Sequence, residues 1–279
     1  MRLISFDSFS QIYQEAVDRV SSYWTYEMQS EISRHCFSWR PELFDFKKYL
    51  KASSIRYYYA YRSFSEGTNY RSLCDVGGFW GVFAITMKTL GADVYMTESL
   101  KYYGTAFTAL FSYISGRGVR IIDYDPFGSE WSIGKYDFVT VMAVLEHYPH
   151  SLRVLMNNLC TMMKTQGRLY IEVPNIAYWP KRVGLLRGRT PLAPQYDIYK
   201  SEVPFIGHHH EFTISELRNL VHLSGLVVSQ EYSYNYSPGA LPGLRMLFCN
   251  PLQLLSWLFL ADSRECLAVL CALKEDQTG

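Results

Sequence analysis

The sequence is short of several things, and each shortage removes a class of function. No segment approaches the ~20 consecutive apolar residues of a membrane-spanning helix. The opening residues, Met-Arg-Leu-Ile-Ser-Phe-Asp, also lack the apolar core of a signal peptide. No membrane span is expected, which leaves peripheral contact with a membrane open. The six cysteines (Cys36, Cys74, Cys160, Cys249, Cys266 and Cys271) form no Cys-x-x-Cys and no regular spacing. Neither a zinc ribbon nor a disulfide framework is expected, and most of these thiols lie in apolar runs as small hydrophobes of a reducing cytoplasm. Excess charge is missing as well. Lys plus Arg (27) nearly cancel Asp plus Glu (26), and a net charge of +1 offers no general attraction to nucleic acid.

What the chain does have is core: 48% of its 279 residues are hydrophobic, enough for one large domain or a domain with a cap. The most informative stretch runs from Arg71 to Glu98. Leu73 to Val76 is too short for a helix and ends in a glycine pair, so it reads as a buried strand entering a tight turn. Gly77, Gly78 and Gly81 let the backbone bend sharply and approach a ligand, and free N–H groups at the start of the following helix favour anionic or polar atoms. Strand two, Val94 to Thr97, ends in Glu98, a carboxylate placed to accept hydrogen bonds from both hydroxyls of a ribose. A nucleotide-like ligand follows, although the Gly-x-Gly-x-x-Gly of a dinucleotide site is absent.

Before this stretch, residues 1–70 show no alternation of strand and helix. Phe9, Ile12, Tyr13, Ala16, Val17, Val20 and Trp24 recur at helical spacing behind a capping-box start at Ser8 and Gln11, which predicts a helical N-terminal cap. Four tyrosines between Arg56 and Arg62 read either as a half-buried helix or as a cover whose hydroxyls, or Arg62, touch the ligand. After Glu98 the alternation is regular. A helix spanning Tyr103 to Ile114 precedes strands at Val119 to Ile122 and Tyr136 to Met142. A further helix, with Leu152, Leu155, Met156, Leu159 and Met163 on one face, is stopped by Gly167; strands at Arg168 to Val173, Leu226 to Tyr232 and Cys266 to Leu273 complete the series. Such a series predicts an α/β fold, a mostly parallel sheet with helices on both faces, whose ligands lie beyond the carboxyl ends of the strands, where Gly77, Glu98, Asp123 and Glu146 all fall.

Asp75-x-Gly77-x-Phe79-x-Gly81 resembles motif I of the class I S-adenosylmethionine-dependent methyltransferases, with Phe79 in place of the middle glycine. The run Tyr136-Asp137-Phe138-Val139 followed by Val144-Leu145-Glu146-His147 resembles the Val-Leu-Glu-His type of that family residue for residue. The resemblance implies a Rossmann-like seven-stranded sheet with an antiparallel last strand over 71–279, and S-adenosyl-L-methionine as cofactor. It places Asp75, Gly77, Gly78, Gly81, Glu98, Asp123 and Ala143 around that cofactor, with Asp123, or secondarily Asp125, at the adenine amino group and the tip of strand four at the methionine part. His147 falls on the acceptor side.

Residues 174–210 interrupt the rhythm, and an insertion of that length is commonly functional. Lys181, Arg182, Arg187 and Arg189 fall close together there, either as a solvated face or as a reader of an acidic or phosphorylated acceptor. The insertion ends in Gly207-His208-His209-His210-Glu211-Phe212-Thr213, similar to a segment of methyltransferases encoded with polysaccharide or small-molecule biosynthesis genes. Three adjacent histidines invite a metal, but neighbours in an extended segment point to opposite faces, so none is assigned. If the acceptor is an alcohol, a general base is needed; His208 is the first candidate, His209 the second, and Glu211 an orienter of the imidazole. Thr213 with Glu216 forms a capping box. The apolar run Leu252 to Leu260 reads as core or homodimer contact, or as contact with a membrane surface. The expectation is methyl transfer to a small-molecule or saccharide acceptor at oxygen. A catalytically silent methyltransferase-like module and a nicotinamide-dependent oxidoreductase are the alternatives.

Overall fold

The central strands are buried on both faces, because successive side chains point to opposite faces of a sheet and nearly all of those in β1 (Ser72–Val76) and β4 (Tyr136–Met142) are covered. The computed structural model describes residues 2–36, 42, 44–67, 70–125, 133–237, 255 and 260–274. Seven strands form one sheet in the order β3-β2-β1-β4-β5-β7-β6. They are β1 (Ser72–Val76), β2 (Asp93–Glu98), β3 (Arg120–Asp123), β4 (Tyr136–Met142), β5 (Met163–Pro174), β6 (Leu226–Tyr234) and β7 (Cys266–Leu273). The five strands from β3 to β5 are parallel, and β7 runs antiparallel to both of its neighbours. Glu98 pairs in register with Asp123 at the carboxyl edge, where ligands of open α/β sheets bind.

Each face of the sheet has its own core. Leu73, Val94, Met96, Phe138 and Tyr170 point toward α5 (Val82–Thr89) and the N-terminal helices α1 (Phe6–Ser21), α2 (Tyr26–His35), α3 (Phe46–Ala52) and α4 (Ser54–Glu66). Cys74, Val76, Val139, Val141 and Ile171 face α7 (Leu152–Thr161) and α10 (Ile214–Leu223). Phe9, Tyr13, Val17 and Val20 of α1 are fully buried and share the first core with the sheet. Each such side chain contributes about 1.5–3 kcal/mol by leaving water.

Three local expectations are corrected. Helix α1 begins at Phe6 rather than at Ser8: Ser5 is the N-cap, its side chain accepting from the Ser8 N–H. The helix after β2 is delayed by two short 3₁₀ turns, and α6 covers only Thr108–Gly116. Helix α7 stops at Thr161, and Met163 already belongs to β5. Gly167 is no helix stop but the floor of an irregularity where the β4–β5 register shifts; a Cβ there would lie 2.9 Å from the Lys164 carbonyl oxygen and 3.0 Å from that of Tyr136. The capping box of Thr213 and Glu216 is present on α10.

The insertion folds into α8 (Trp179–Leu186) and α9 (Gln195–Lys200). Its returning arm is pinned to the end of α2, where the N–H groups of Glu202 and Ile206 donate to the carbonyls of Arg34 and His35, each at 2.8 Å. No helix among the described residues is long and apolar enough to cross a membrane. The run Leu252 to Leu260 lies outside the described residues apart from Leu255 and Leu260, both about half exposed.

Candidate active site

The turn from β1 into α5 is built by backbone conformations that side chains disfavour. Gly77 and Gly81 both have φ of 67°, and Phe79, on the position where the motif has glycine, is held at 52°. A Cβ on Gly77 would come within 2.8 Å of Val144 Cγ2, and one on Gly78 within 2.3 Å of Met96 Cγ, so neither position has room for a side chain as the structure stands. Beneath it Asp75 is buried and accepts from Thr140 Oγ1 at 2.7 Å; burial pushes its carboxyl up to about 7. Glu98 is buried beside the same turn. Its Oε1 accepts from the Phe79 N–H and its Oε2 from the Tyr103 hydroxyl at 2.8 Å. Burial raises its carboxyl to about 7, with those two bonds pulling the other way.

Asp123, at the tip of β3, is exposed and takes the Leu100 N–H on Oδ1 at 3.0 Å. Ala143 just past β4 has φ of 53°, with its N–H on the Glu172 carbonyl. A turn with positive φ at Gly77, Phe79 and Gly81, a carboxyl group beside it and a second one in register fit a ribose-bearing cofactor. Gly77, Gly78 and Gly81 would pass its chain, Glu98 would hold the ribose, and Asp123 and Ala143 would flank the two ends.

A second polar group lies past the tip of β4. Glu146 is 1% exposed and its Oε2 has no hydrogen-bond partner; burial, reinforced by Glu172, raises its carboxyl to about 8. His147 places Nδ1 2.6 Å from the Ile206 carbonyl, and burial holds the imidazole down at about 4, hence neutral. His208 places Nδ1 2.9 Å from Glu211 Oε1 and meets the His147 ring edge to face at 4.9 Å between centroids. Glu211, itself buried, pairs through Oε2 with Lys181. Burial alone would raise its carboxyl, but His208 and Lys181 hold it below the usual range.

The end of the insertion is fixed to this spot from two sides. The N–H groups of His209 and His210 both reach the Glu146 carbonyl oxygen, at 2.7 and 3.3 Å, and Asn175 forms a parallel bridge with Phe212. His209 turns its ring onto Phe205, Nε2 lying 3.1 Å from that residue's carbonyl oxygen. The basic residues of the insertion separate: Lys181 turns inward to Glu211, Arg182 bonds the Ala177 carbonyl, and Arg187 and Arg189 are exposed.

The structure thus brings Asp75, Glu98 and the glycines together, and Glu146, His147, His208 and Glu211 together. Two partners escape sequence reasoning. Tyr103 donates its hydroxyl to Glu98, and Arg56 reaches in from α4 to a buried ion pair with Glu172, 2.5 Å apart, while Tyr49 accepts from its other arm at 2.8 Å. Glu172 inside the apolar run Leu169 to Val173 is the signal that such a cation was needed. The tyrosines around Arg56 belong to the helix: Tyr58 and Tyr61 donate to the carbonyls of Ile4 and Arg2, and Arg62 pairs with Glu66.

A family model described as a methyltransferase domain matches residues 28–231. No curated protein matches the chain in sequence. Among solved structures, the S-adenosylmethionine dependent methyltransferase from Mesorhizobium loti is 10% identical, with a TM-score of 0.52 over 79% of this chain and 97% of that one. The magnesium protoporphyrin IX methyltransferase ChlM from Synechocystis PCC 6803, solved with bound SAH, is 15% identical, with a TM-score of 0.51 over 83% of this chain and 89% of that one. The pyocyanin biosynthetic protein PhzM is 17% identical over 82% of this chain with a TM-score of 0.49, and the chain spans 58% of its length. The solved structures speak for the fold, and the family model, covering well over half of the chain, carries the family and its cofactor, S-adenosylmethionine. The nicotinamide alternative falls away: the chain belongs to the methyltransferase domain family and is a class I S-adenosylmethionine-dependent methyltransferase.

Proposed function

We propose that the protein methylates a hydroxyl oxygen of a small-molecule acceptor, a saccharide or a similarly hydroxylated compound. The observation that carries this reading is the His208–Glu211 pair at 2.9 Å, with Glu211 held in turn by Lys181. A carboxylate only accepts, so His208 carries its proton on Nδ1, and the lone pair of Nε2 is left to take a proton from an acceptor. An alcohol needs such help and an amine needs it far less. S-adenosylmethionine supplies an electrophilic methyl on sulfur; the chain's own part is to hold acceptor and cofactor in line, exclude water and remove the hydroxyl proton.

Glu98 and the glycine turn serve the cofactor, and His147, His208 and Glu211 serve the acceptor. Arg187 and Arg189, exposed on the insertion, suit an acceptor bearing a carboxylate or phosphate. The described cysteines are all free thiols, which suits a reducing cytoplasm. The test is transfer of labelled methyl to a panel of hydroxylated and amino acceptors, with saccharides of both kinds included. Label is expected on oxygen, with His208→Ala lowering turnover by about 10²–10⁴-fold at nearly unchanged cofactor affinity. Label found only on nitrogen, or full turnover in the variant, would overturn the reading.

A further inference from the structure

The acceptor end holds more than a base requires. Glu146, His147 and His208 each present one ligand atom, and these atoms lie within 4.8 Å of one another. Around an ion with bonds of about 2.0–2.1 Å, tetrahedral geometry separates ligand atoms by about 3.3 Å, so side-chain movements of up to about 1.5 Å close the set.

Three independent features fit this cluster to a cation. First, Glu146 Oε2 is buried without a partner in a residue 1% exposed, and an orphaned carboxylate oxygen is costly to bury. Second, both imidazoles are oriented as ligands are. The Nδ1 of His147 faces the Ile206 carbonyl and that of His208 faces the Glu211 carboxylate. Both acceptors lack a proton to give, so each ring keeps its own on Nδ1 and offers the lone pair of Nε2. Metal-bound histidines are fixed in this way by a carbonyl or carboxylate behind the ring. Third, Lys181 pairs with Glu211 and not with Glu146, so among the described residues no ion pair engages the Glu146 carboxyl.

We propose that Glu146, His147 and His208 bind a divalent transition-metal ion of the zinc type, with a coordination position left open toward the acceptor. Two imidazoles and one carboxylate suit such an ion better than magnesium or calcium, which take oxygen ligands. Adjacency along the chain could not bring His208, His209 and His210 to one point. The structure takes one of the three and finds its partners across the sheet edge, at the tip of β4.

The catalytic consequence rests on the methyl-transfer reading above, whereas ion binding does not. A hydroxyl placed on the open position loses its proton to solvent more readily. Its oxygen then bonds to the methyl carbon as the carbon–sulfur bond breaks and that electron pair returns to sulfur. With the ion bound, His208 is a ligand; the role of base belongs to the ion-free chain, and the two roles are exclusive.

The test uses the full chain, stripped with a chelator and dialysed, with neither cofactor nor acceptor present. Zn²⁺ is titrated by calorimetry and Co²⁺ by its visible absorption. One equivalent is expected, with the spectrum of a four- or five-coordinate site. Glu146→Gln, His147→Ala and His208→Ala should each weaken binding at least about tenfold, and Glu211→Gln, which only orients a ligand, by about 10–100-fold. His222→Ala, a surface control, should change nothing. Melting temperatures separate misfolded variants, and the near-isosteric Glu146→Gln keeps the test informative if a histidine variant fails to fold. Absence of stoichiometric binding, or binding indifferent to all four changes, overturns the ion site whether or not the protein methylates anything. Stoichiometric binding with methyl transfer insensitive to chelation overturns the catalytic consequence.

Discussion

Tyr103 donates its hydroxyl to Glu98 Oε2 at 2.8 Å, on the carboxylate that a ribose would need. The Phe79 N–H donates to Oε1 of the same carboxyl. On the reading in which Glu98 holds the ribose, the tyrosine hydroxyl competes with a sugar hydroxyl for Oε2.

Removing the competitor should help the ligand. Tyr103→Phe is expected to tighten S-adenosylhomocysteine binding by about 3–10-fold, the scale of one net hydrogen bond. Glu98→Ala should weaken it by about 1–3 kcal/mol. Calorimetric titration of the three proteins decides the matter; a Tyr103 variant that binds no better than wild type shows that the hydroxyl does not stand in the way.

The buried pair of Arg56 and Glu172 predicts an asymmetry in stability. Both side chains are almost wholly inaccessible, at 4% and 0%. Arg56→Met leaves a carboxylate buried alone and should cost about 3–5 kcal/mol, while Arg56→Met with Glu172→Leu should recover most of that loss. Urea unfolding at neutral pH reads both. A single variant within about 1 kcal/mol of wild type would mean that water reaches Glu172.

Acid should act through Asp137. Burial pushes this carboxyl up, but Lys164 and the N–H groups of Ser72 and Arg71, with the Ser72 hydroxyl, hold it well below the ordinary carboxylate range. A depressed folded value adds stability above the unfolded value of about 3.9, and that stability is lost as pH falls from there toward the folded value. Asp137→Asn should thus melt below wild type at neutral pH, and the gap should narrow below about pH 4. A gap that stays constant with pH would place the effect in packing.

On the insertion, Arg187→Glu with Arg189→Glu should raise the Michaelis constant for an anionic acceptor and leave S-adenosylhomocysteine affinity alone. Unaltered kinetics would make these arginines a solvated face.

How much of this was readable beforehand depends on range. Strands Tyr136–Met142 and Cys266–Leu273 were legible to the residue because short runs rich in apolar and β-branched residues mark buried strands. The closeness of the glycine turn and Glu98 was equally legible, since both lie within one βαβ unit. Met163 was misplaced because its spacing continues the apolar face of α7, and only the register shift around Gly167 makes it strand. The contact between Arg56 and Glu172 spans 116 positions, and nothing local to either residue names the other. His208 was legible as a candidate, but its neighbours Glu146 and His147 arrive through a backbone clamp on a distant turn.

The pinning of the insertion to the end of α2 bears on how such enzymes can be recombined. Glu202 and Ile206 hang on the carbonyls of Arg34 and His35, six and two residues before His208. That rail sets the height of His208 over the sheet edge, and it is laid by a helix some 170 positions upstream. A chimera that transplants residues 174–210 onto another methyltransferase would bring the arginines and leave the rail behind. Acceptor choice should travel only when α2 and the insertion are exchanged as one cassette, while the glycine turn and Glu98 stay with the host sheet.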